Sequence, residues 1–392
     1  MKFNKWTMGL AAVGVVSLAS AARADETTPK ISVVNTALSS TTLSGYVDTA
    51  AVFNPGGIAD QYSFAKANGF YLNSVDLALD KPQDESPWAS GYHVELMFGP
   101  DATPGSYTGN GLAGLSSVPI RQAYISLRTP VANSAIDWKV GVFDTIIGYE
   151  STTDGANPNY TRSWGYTMEP TTHTGVLGTF KVNDEISFSA GIADTTYTGG
   201  YNSGINDGTT SGSLVYPTAL GSVALTAPDS WGWAKGATFN AGIVNSPGSS
   251  ATGATSYYAG ITVPTPLSAL KVGAAFDYLD EHNSAPGNHA NDSAWDAGLY
   301  GNFQANDKLS FNLRAEYLDQ SNLGGSSFIP IFVAKEAEEV TATVQYNLWA
   351  NVLSRVEVRW DHAEHGTPFT SNSGYTSDAN AFTFALNMIY QF

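Results

Sequence analysis

Cysteine is absent from this sequence, and basic residues are scarce. The 392 residues include no Cys, 18 Lys and Arg together, and 35 Asp and Glu together, which gives a formal net charge of −17. Without cysteine the chain has no disulfide framework and no thiolate metal site. The acidic balance argues against a nucleic-acid partner, because binding to the phosphate backbone requires a basic surface.

Charged residues of either sign and long apolar runs are also rare. Charged residues make up 14% of the chain, below the roughly 25% of an ordinary soluble domain. Beyond the N-terminal segment no apolar run reaches the roughly 18 residues that a membrane-spanning helix requires. Aromatic residues, in contrast, make up 12% of the chain, and there are 39 glycines. This composition suits a barrel with a lipid-facing wall and long polar loops.

Residues 1–24 predict a secretory signal peptide. Lys2 and Lys5 precede a short apolar run, and Ala22-Arg23-Ala24 is a small-x-small cleavage site. We expect cleavage after residue 24, with an uncleaved anchor as the alternative, and we expect 25–41 to form a short periplasmic tail. Loss of three basic residues leaves 15 against 35 acidic ones, a net charge of −20.

Alternation of apolar and polar residues recurs from Leu43 to the end of the chain. Between Lys308 and Tyr317, every second residue is apolar, and the residues between them are Ser310, Asn312, Arg314 and Glu316. A strand of this kind separates two different environments. They are either core and water, as in a soluble sandwich, or lipid and a wet lumen, as in a membrane barrel. Periodicity alone does not choose between these two folds.

Loop lengths favour the membrane barrel. We predict 16 strands, although 14 or 18 remain open, over residues 42–53, 69–80, 90–99, 119–129, 135–144, 172–182, 185–194, 218–227, 236–245, 256–264, 268–280, 294–304, 308–318, 338–348, 352–362 and 381–392. Long joins alternate with short ones and cover 54–68, 100–118, 145–171, 195–217, 246–255, 281–293, 319–337 and 363–380. The sequence therefore predicts an all-β fold over 42–392. It is a transmembrane antiparallel up-and-down β-barrel with short periplasmic turns and long extracellular loops.

The last predicted strand carries the strongest signal for this fold. One face carries six large apolar residues, namely Phe382, Phe384, Leu386, Met388, Tyr390 and Phe392. The stretch of strand that carries these six residues is about as long as the apolar band of an outer membrane is thick, and aromatic rings lie at both of its ends. We expect Phe392 to act as an assembly signal. The expected partners are outer-membrane lipids, the barrel assembly machinery and periplasmic chaperones.

Four segments of the sequence resemble the OmpL-like family of β-barrel porins. They are Leu43-Ser44-Gly45-Tyr46-Val47-Asp48, Ile120-Arg121-Gln122-Ala123-Tyr124, the run from Tyr160 to Gly175, and Ala227-Pro228-Asp229-Ser230-Trp231-Gly232. The run from Tyr160 to Gly175 is the most specific of the four, and the resemblance covers roughly 40–392. It implies a pore, but it fixes no substrate, and no catalytic, cofactor or metal residue carries over from it.

Charged side chains of the predicted wall and of the longest loop, 145–171, are the candidates for lining a pore. If this loop folds inward, opposed charges across the lumen would filter solutes by size and charge. The candidates are Glu150, Asp154, Arg162 and Glu169 on the loop, and Glu95, Arg128, Lys139, Arg314, Glu316, Arg355, Glu357 and Arg359 on the wall. Alternation favours Arg128 over Arg121, because Arg128 shares a face with Tyr124. The alternative is that these charges pair along the wall and only stabilise the barrel.

Three functional classes follow from these patterns. We favour an outer-membrane porin for passive diffusion of small hydrophilic solutes or ions, because 16 strands leave an aqueous lumen. A homotrimer is one assembly open to it, since trimers are common among barrels with 16 strands, but the sequence assigns no interface. An adhesin or structural barrel that acts through its loops is the alternative. A barrel enzyme would need His93 or His173 as its general base, and we predict no catalytic, cofactor or metal site. Residues 361–365 are accordingly interpreted as the solvated start of a loop.

Overall fold

The computed structural model describes residues 41–57, 64–102, 120–132, 134–194, 217–246, 252–283, 292–321, 335–371 and 377–392. Sixteen antiparallel strands form one closed barrel, in which each strand pairs with the next along the chain and the last pairs with the first. They are β1 (Thr42–Phe53), β2 (Gly69–Lys81), β3 (Ser90–Phe98), β4 (Ile120–Val131), β5 (Ser134–Asp144), β6 (Thr172–Lys181), β7 (Ile186–Ala193), β8 (Thr218–Thr226), β9 (Thr238–Ser246), β10 (Thr252–Pro264), β11 (Leu270–Asn283), β12 (Asp292–Gln304), β13 (Leu309–Gln320), β14 (Glu336–Trp349), β15 (Val352–Ala363) and β16 (Asn380–Gln391).

The predicted fold class and the strand count are confirmed, and the predicted long loops emerge from one end of the barrel. The join predicted at 246–255 is wrong in its length, because β9 ends at Ser246 and β10 already begins at Thr252. The pairing between β9 and β10 explains this difference. Because Ala254 lies opposite Ser246 in the ladder, the start of β10 is held as a strand, although its small residues do not alternate clearly between apolar and polar. The join between β8 and β9, at 227–237, is longer than the turn of a tight hairpin.

Strand β16 closes the barrel against β1. The backbone N–H of Gly45 donates to the carbonyl of Phe392 at 3.1 Å, and the N–H of Phe392 donates to the carbonyl of Gly45 at 3.0 Å. Burial alternates along β16, with Leu386 59% exposed and its neighbours Ala385 and Asn387 buried. The predicted apolar face therefore points outward, where a membrane barrel meets lipid.

A charged residue on this outer face is expected to destabilise the barrel in proportion to its depth in the bilayer. Leu386→Arg, near the middle of β16, should lower the free energy of unfolding by about 2–4 kcal/mol. Tyr390→Arg, near the strand end, should cost about 0–1 kcal/mol. Urea titration of both variants in lipid vesicles measures the difference. Equal costs would show that β16 does not cross the apolar band as described.

Aromatic rings line the outer face near the long-loop end. Trp295 on β12 lies between Phe276 of β11, at 6.1 Å, and Tyr317 of β13, at 5.5 Å between ring centroids. Rings of this kind prefer the boundary between lipid and water. Among the described residues, no helix is long and apolar enough to cross a membrane. The predicted signal peptide, 1–24, and nearly all of the predicted tail, 25–41, lie outside the described residues.

Candidate constriction site

The loop between β5 and β6, residues 145–171, lies inside the barrel and is called the inward loop here. Its side chains reach the wall at two places. Ser74 Oγ of β2 donates to Asp154 Oδ2 at 2.6 Å. Arg314 Nη1 of β13, which lies eight strands around the barrel from β5, donates to Glu150 Oε1 at 2.8 Å. The inward loop therefore crosses the lumen.

Short-range features of the sequence give the inward loop its shape. Ser163 caps the single helical turn α1 (Trp164–Met168), because its side chain accepts a hydrogen bond from the N–H of Tyr166 at 2.9 Å. Gly165 lets α1 approach the wall, since a Cβ at this position would lie 2.7 Å from Asp277 Oδ2 of β11. The loop can therefore pack directly against wall carboxylates.

Arg314 is the main wall residue that holds the inward loop. Its Nη1 also donates to the carbonyl of Thr161 at 2.8 Å, and its Nη2 donates to the carbonyl of Arg162 at 3.2 Å. Its Nε lies 3.2 Å from Glu339 of β14, and the side chain is fully buried. A buried guanidinium with several acceptors is a rigid clamp, because its planar donors fix the acceptor geometry.

Two further arginines on β15 continue this clamp. Arg359 Nη1 donates to the carbonyl of Arg162 at 2.5 Å, and its guanidinium lies 5.4 Å from the ring centroid of Trp164. Arg359 also pairs with Asp361 at 2.6 Å, so Asp361 is buried rather than part of a solvated loop base. Arg355 donates to the carbonyl of Asp154 at 3.2 Å. The predicted pairing along the wall and the predicted loop contact therefore coexist.

Wall carboxylates hold the loop backbone as acceptors. Glu357 accepts hydrogen bonds from the N–H groups of Tyr160 at 2.6 Å and Thr161 at 2.8 Å. Glu316 accepts one from the N–H of Trp164 at 3.0 Å. The predicted picture of loop acids facing basic wall residues is thus only part of the arrangement, since acidic wall residues bind loop amides directly. Within the loop, Arg162 pairs with Asp154 at 2.7 Å rather than with the wall.

Glu169 departs from the predicted pattern because it lies in an acidic region. Burial raises the pKa of Glu169 to about 8, and the negative charges of Glu150, Asp296 and Glu316 add to this rise. A hydrogen bond with Asp277 acts in the opposite direction without reversing it. At neutral pH this carboxyl group therefore keeps its proton in the folded protein.

Glu169→Gln is expected to remove a pH dependence from the stability of the folded barrel. The raised pKa means that Glu169 stabilises the folded state fully below its ordinary value of 4.5 and loses this contribution as pH rises to about 8. Unfolding free energies of the wild type and the variant, measured in urea between pH 5 and 9, should therefore converge or cross as pH rises. The exposed Glu364→Gln is the control. A constant offset for Glu169→Gln would contradict the buried, protonated state.

A second charged cluster lies on the wall formed by β3, β4 and β5. Arg121 donates to Glu95, and its Nη2 lies 2.9 Å from Asp144. Gln122 Nε2 also donates to Glu95, at 2.7 Å. His93 lies beside them, with Nε2 3.2 Å from Glu95. The structure thus brings Glu95, a predicted site residue, together with four residues that the sequence did not predict as site residues, namely His93, Arg121, Gln122 and Asp144.

Arg121 rather than Arg128 takes the central position in this cluster. Alternation is correct in placing Tyr124 and Arg128 on one face, but Arg128 pairs with Asp137 at 3.0 Å near the periplasmic turn and is partly exposed. A register shift at Glu95 turns Arg121 and Gln122 both into the barrel. No residue pattern in β4 announces this bulge. Lys139 lies nearby, 4.8 Å above the Tyr124 ring.

A cavity of about 450 Å³ separates this cluster from the inward loop. Thr153 of the loop forms one side of it. The other lining residues come from the wall and the end of the chain, and they are Ser44, Gly45, Tyr46, Asp76, Ala78, His93, Glu95, Arg121, Gln122, Asp144, Gln391 and Phe392. The loop is therefore clamped to β13–β15 and bonded to β2 through Asp154, and a polar space remains beside β1–β5.

Comparison with known protein families agrees with the fold described above. A family described as "Putative beta-barrel porin-2, OmpL-like" matches residues 40–392. The chain belongs to this family. The predicted resemblance is therefore confirmed, and porin family membership with a closed barrel supports a porin role in the outer membrane rather than an enzymatic one. No curated protein sequence matches this porin.

Solved structures of outer-membrane barrels are similar to this porin in fold. The outer-membrane channel DcaP of Acinetobacter baumannii has a TM-score of 0.57 at 12% identity, over 90% of this chain and 97% of that chain. The anion-selective porin from Comamonas acidovorans has a TM-score of 0.56 at 11% identity, over 90% and 99%. OmpT of Vibrio cholerae in its trimer form has a TM-score of 0.56 at 13% identity, over 90% and 99%.

Proposed function

We propose that this porin forms a water-filled channel for passive diffusion of small hydrophilic solutes or ions, with its narrowest passage beside β1–β5. The observation that carries the proposal is the position of the inward loop. Arg314 of β13 and Arg355 and Arg359 of β15 hold the inward loop against their part of the wall. The polar cavity of about 450 Å³ lies beside β1–β5. A solute that crosses the barrel would pass this space.

The charges beside the passage favour cations over anions. Asp76, Glu95 and Asp144 line the cavity together with Arg121 and His93, so the carboxyl groups of the lining outnumber its basic groups by one. An excess of carboxylates in a narrow polar space raises the local concentration of cations. We therefore propose a selectivity opposite to that named for the anion-selective porin from Comamonas acidovorans.

The setting of the channel is also part of the proposal. A cleaved signal peptide at 1–24 would export the chain. The barrel of 42–392 would then be inserted by the assembly machinery, with periplasmic chaperones beforehand and Phe392 as its signal. A homotrimer fits the trimer form solved for OmpT of Vibrio cholerae. The adhesin alternative depends on long loops that lie mostly outside the described residues, so no specific contact favours it.

Reconstitution in planar bilayers tests the proposed function. Purified protein, shown to be folded by its heat-modifiable mobility on electrophoresis, should insert with discrete conductance steps in KCl. In a salt gradient the reversal potential should have the sign of cation preference. Folded protein without conductance steps would overturn the channel, whereas steps with anion preference would overturn only the proposed selectivity.

A further inference from the structure

Residues 64–68, in the join between β1 and β2, lie inside the barrel and are called the latch here. Its residue Lys66 lies between Tyr71 of β2 and Tyr160 of the inward loop, with Nζ 6.0 Å and 5.9 Å from their ring centroids. The same Nζ donates to Asp101 Oδ1, in the join between β3 and β4, at 2.6 Å. The latch therefore connects the wall to the inward loop near the long-loop ends of β1–β3.

The latch closes one end of the gap that contains the cavity. The cavity includes Ser44, which lies at the short-turn end of β1. At the other end of β1, Asn54 Nδ2 donates to the carbonyl of Lys66 at 2.7 Å. The side chains of Lys66 and Asp101 are each only 6% exposed, so this end of the gap is filled. A solute in the proposed passage therefore meets the latch on the long-loop side of the cavity.

The ammonium group of the latch occupies a site that other segments of the chain build. Asp101, Tyr71 and Tyr160 lie on three different segments, and none of these segments is the latch. A carboxylate beside two aromatic rings attracts a cation. Burial raises the pKa of Asp101 to about 6, so its carboxyl group is ionised at pH 8. Arg162 and Asp154, whose charges also act on Asp101, pair with each other at 2.7 Å, which leaves the charge of Asp101 for the ammonium group.

The latch is held in place against strain in its own backbone. Phe64 has a φ of 70°, a left-handed conformation that is unfavourable for a residue with a Cβ. Its ring lies 6.0 Å from that of Tyr166 and 5.5 Å from the guanidinium of Arg162, both on the inward loop. Lys66 Nζ donates to the carbonyl of Phe64 at 3.0 Å. The strained backbone can therefore relax once Lys66 leaves Asp101.

We propose that the carboxylate of Asp101 and the rings of Tyr71 and Tyr160 form a binding site for an organic ammonium solute. Lys66 fills this site as a tethered ligand, and the solute displaces it. A lysine side chain ends in a primary ammonium group on an alkyl chain, so the ligands are short primary alkylamines. The inference rests on the proposed function, because displacement of Lys66 releases the latch and opens the long-loop end of the passage.

Binding of n-butylammonium, an analogue of the lysine side chain, tests the site without reference to conductance. In Lys66→Met the site has no tethered ligand, so titration calorimetry of folded protein in detergent at pH 8 should show saturable binding. The wild type should bind about tenfold more weakly, because the tethered ammonium group competes at a high effective concentration. Asp101→Asn added to Lys66→Met should abolish binding. A Lys66→Met protein that is folded and does not bind the amine would overturn the site.

The matched control for charge is Lys235→Met, which removes the lysine of an exposed pair with Asp229. It should bind n-butylammonium as weakly as the wild type does. Tyr71→Leu, in the Lys66→Met background, should weaken binding about threefold, whereas Tyr71→Phe keeps the ring and should change it by less than about twofold. Equal affinities of these two Tyr71 variants would show that the rings are not part of the site and would overturn it as proposed.

Single-channel recording tests the release of the latch. In KCl the wild type should show a lower and a higher conductance level, and n-butylammonium should increase the time spent at the higher level. Lys66→Met should stay at the higher level without amine, because a buried Asp101 carboxylate without its counter-charge favours release. Lys235→Met should retain both levels. If the wild type and Lys66→Met share one conductance level, the latch does not close the passage.

The two measurements separate failure of the site from failure of the channel. If Lys66→Met binds the amine and no variant conducts, the proposed function fails and the site stands. If conductance occurs without amine binding, the site fails and the channel stands. Asp101→Asn keeps the test valid if Lys66→Met does not fold, since it breaks the same pair from the other side. It should hold the higher level and ignore n-butylammonium, and a response to the amine would overturn the site.

Discussion

Replacing residues 149–168 by a short Gly-Ser segment is expected to raise the single-channel conductance several-fold. The inward loop crosses the lumen from its start at β5 to Arg314 of β13, and it occupies space that water and ions would fill. Strands β5 and β6 pair directly from Asp144 to Ile136, so a short segment can join them without strain on the ladder. Planar-bilayer recording of the wild type and the variant gives the ratio.

The wall charges released in this variant should keep the channel selective for cations. Arg314, Arg355 and Arg359 would face water together with the wall acids Glu316, Glu339, Glu357 and Asp361, so carboxylates still outnumber the basic groups. The control shortens the turn between β8 and β9 by removing 230–234, a segment without buried residues. This control should leave conductance near the wild-type value. If the two deletions raise conductance equally, the inward loop is not the constriction.

Arg314→Ala is expected to destabilise the barrel by about 3–5 kcal/mol, because it leaves buried carboxylates without their counter-charge. Arg314 is fully buried, and Glu150, Glu316 and Glu339 all lie within 3.3 Å of its nitrogens. These three acids cannot be rehydrated while the inward loop stays in place. The variant should therefore lose stability and release the loop together.

Urea unfolding in lipid vesicles measures this cost, and bilayer recording measures the loop. Arg128→Ala is the matched control, because Arg128 makes a partly exposed pair with Asp137, which is worth less than about 1 kcal/mol. Wild-type stability in Arg314→Ala would show that Arg314 does not hold the loop. Adding Glu150→Gln to Arg314→Ala should restore part of the loss, because it removes one of the uncompensated charges.

Alternation allowed the barrel and its orientation to be predicted without the structure. In β16 the outward residues are large and apolar, and the inward residues apart from Ile389 are small or polar, so Leu386 and Asn387 could be assigned to opposite faces. The same rule placed Arg314 and Arg359 on the lumen side. It worked because lipid and lumen differ along the whole strand, and the side-chain period of a strand is two.

Contacts across the lumen could not be predicted in this way. Loop acids were expected to face basic residues, yet Glu169 lies with Asp277 and keeps its proton, and Glu357 binds loop amides. These partners come from strands more than 100 residues apart in sequence from the inward loop. The pattern of residues within the loop does not indicate which distant strands the loop will contact.

Sequence by itself determined the fold class, a count of 16 strands with 14 or 18 left open, the lumen side of Arg314 and Arg359, and the end of the barrel with long loops. These properties depend on neighbours along one strand. Only the tertiary structure decided that the inward loop is clamped to β13–β15, that a bulge opposite Glu95 brings Arg121 into the lumen, and that Asp76 faces a cavity. Those properties depend on the register between strands and on closure of the barrel, which bring residues together regardless of their separation along the chain.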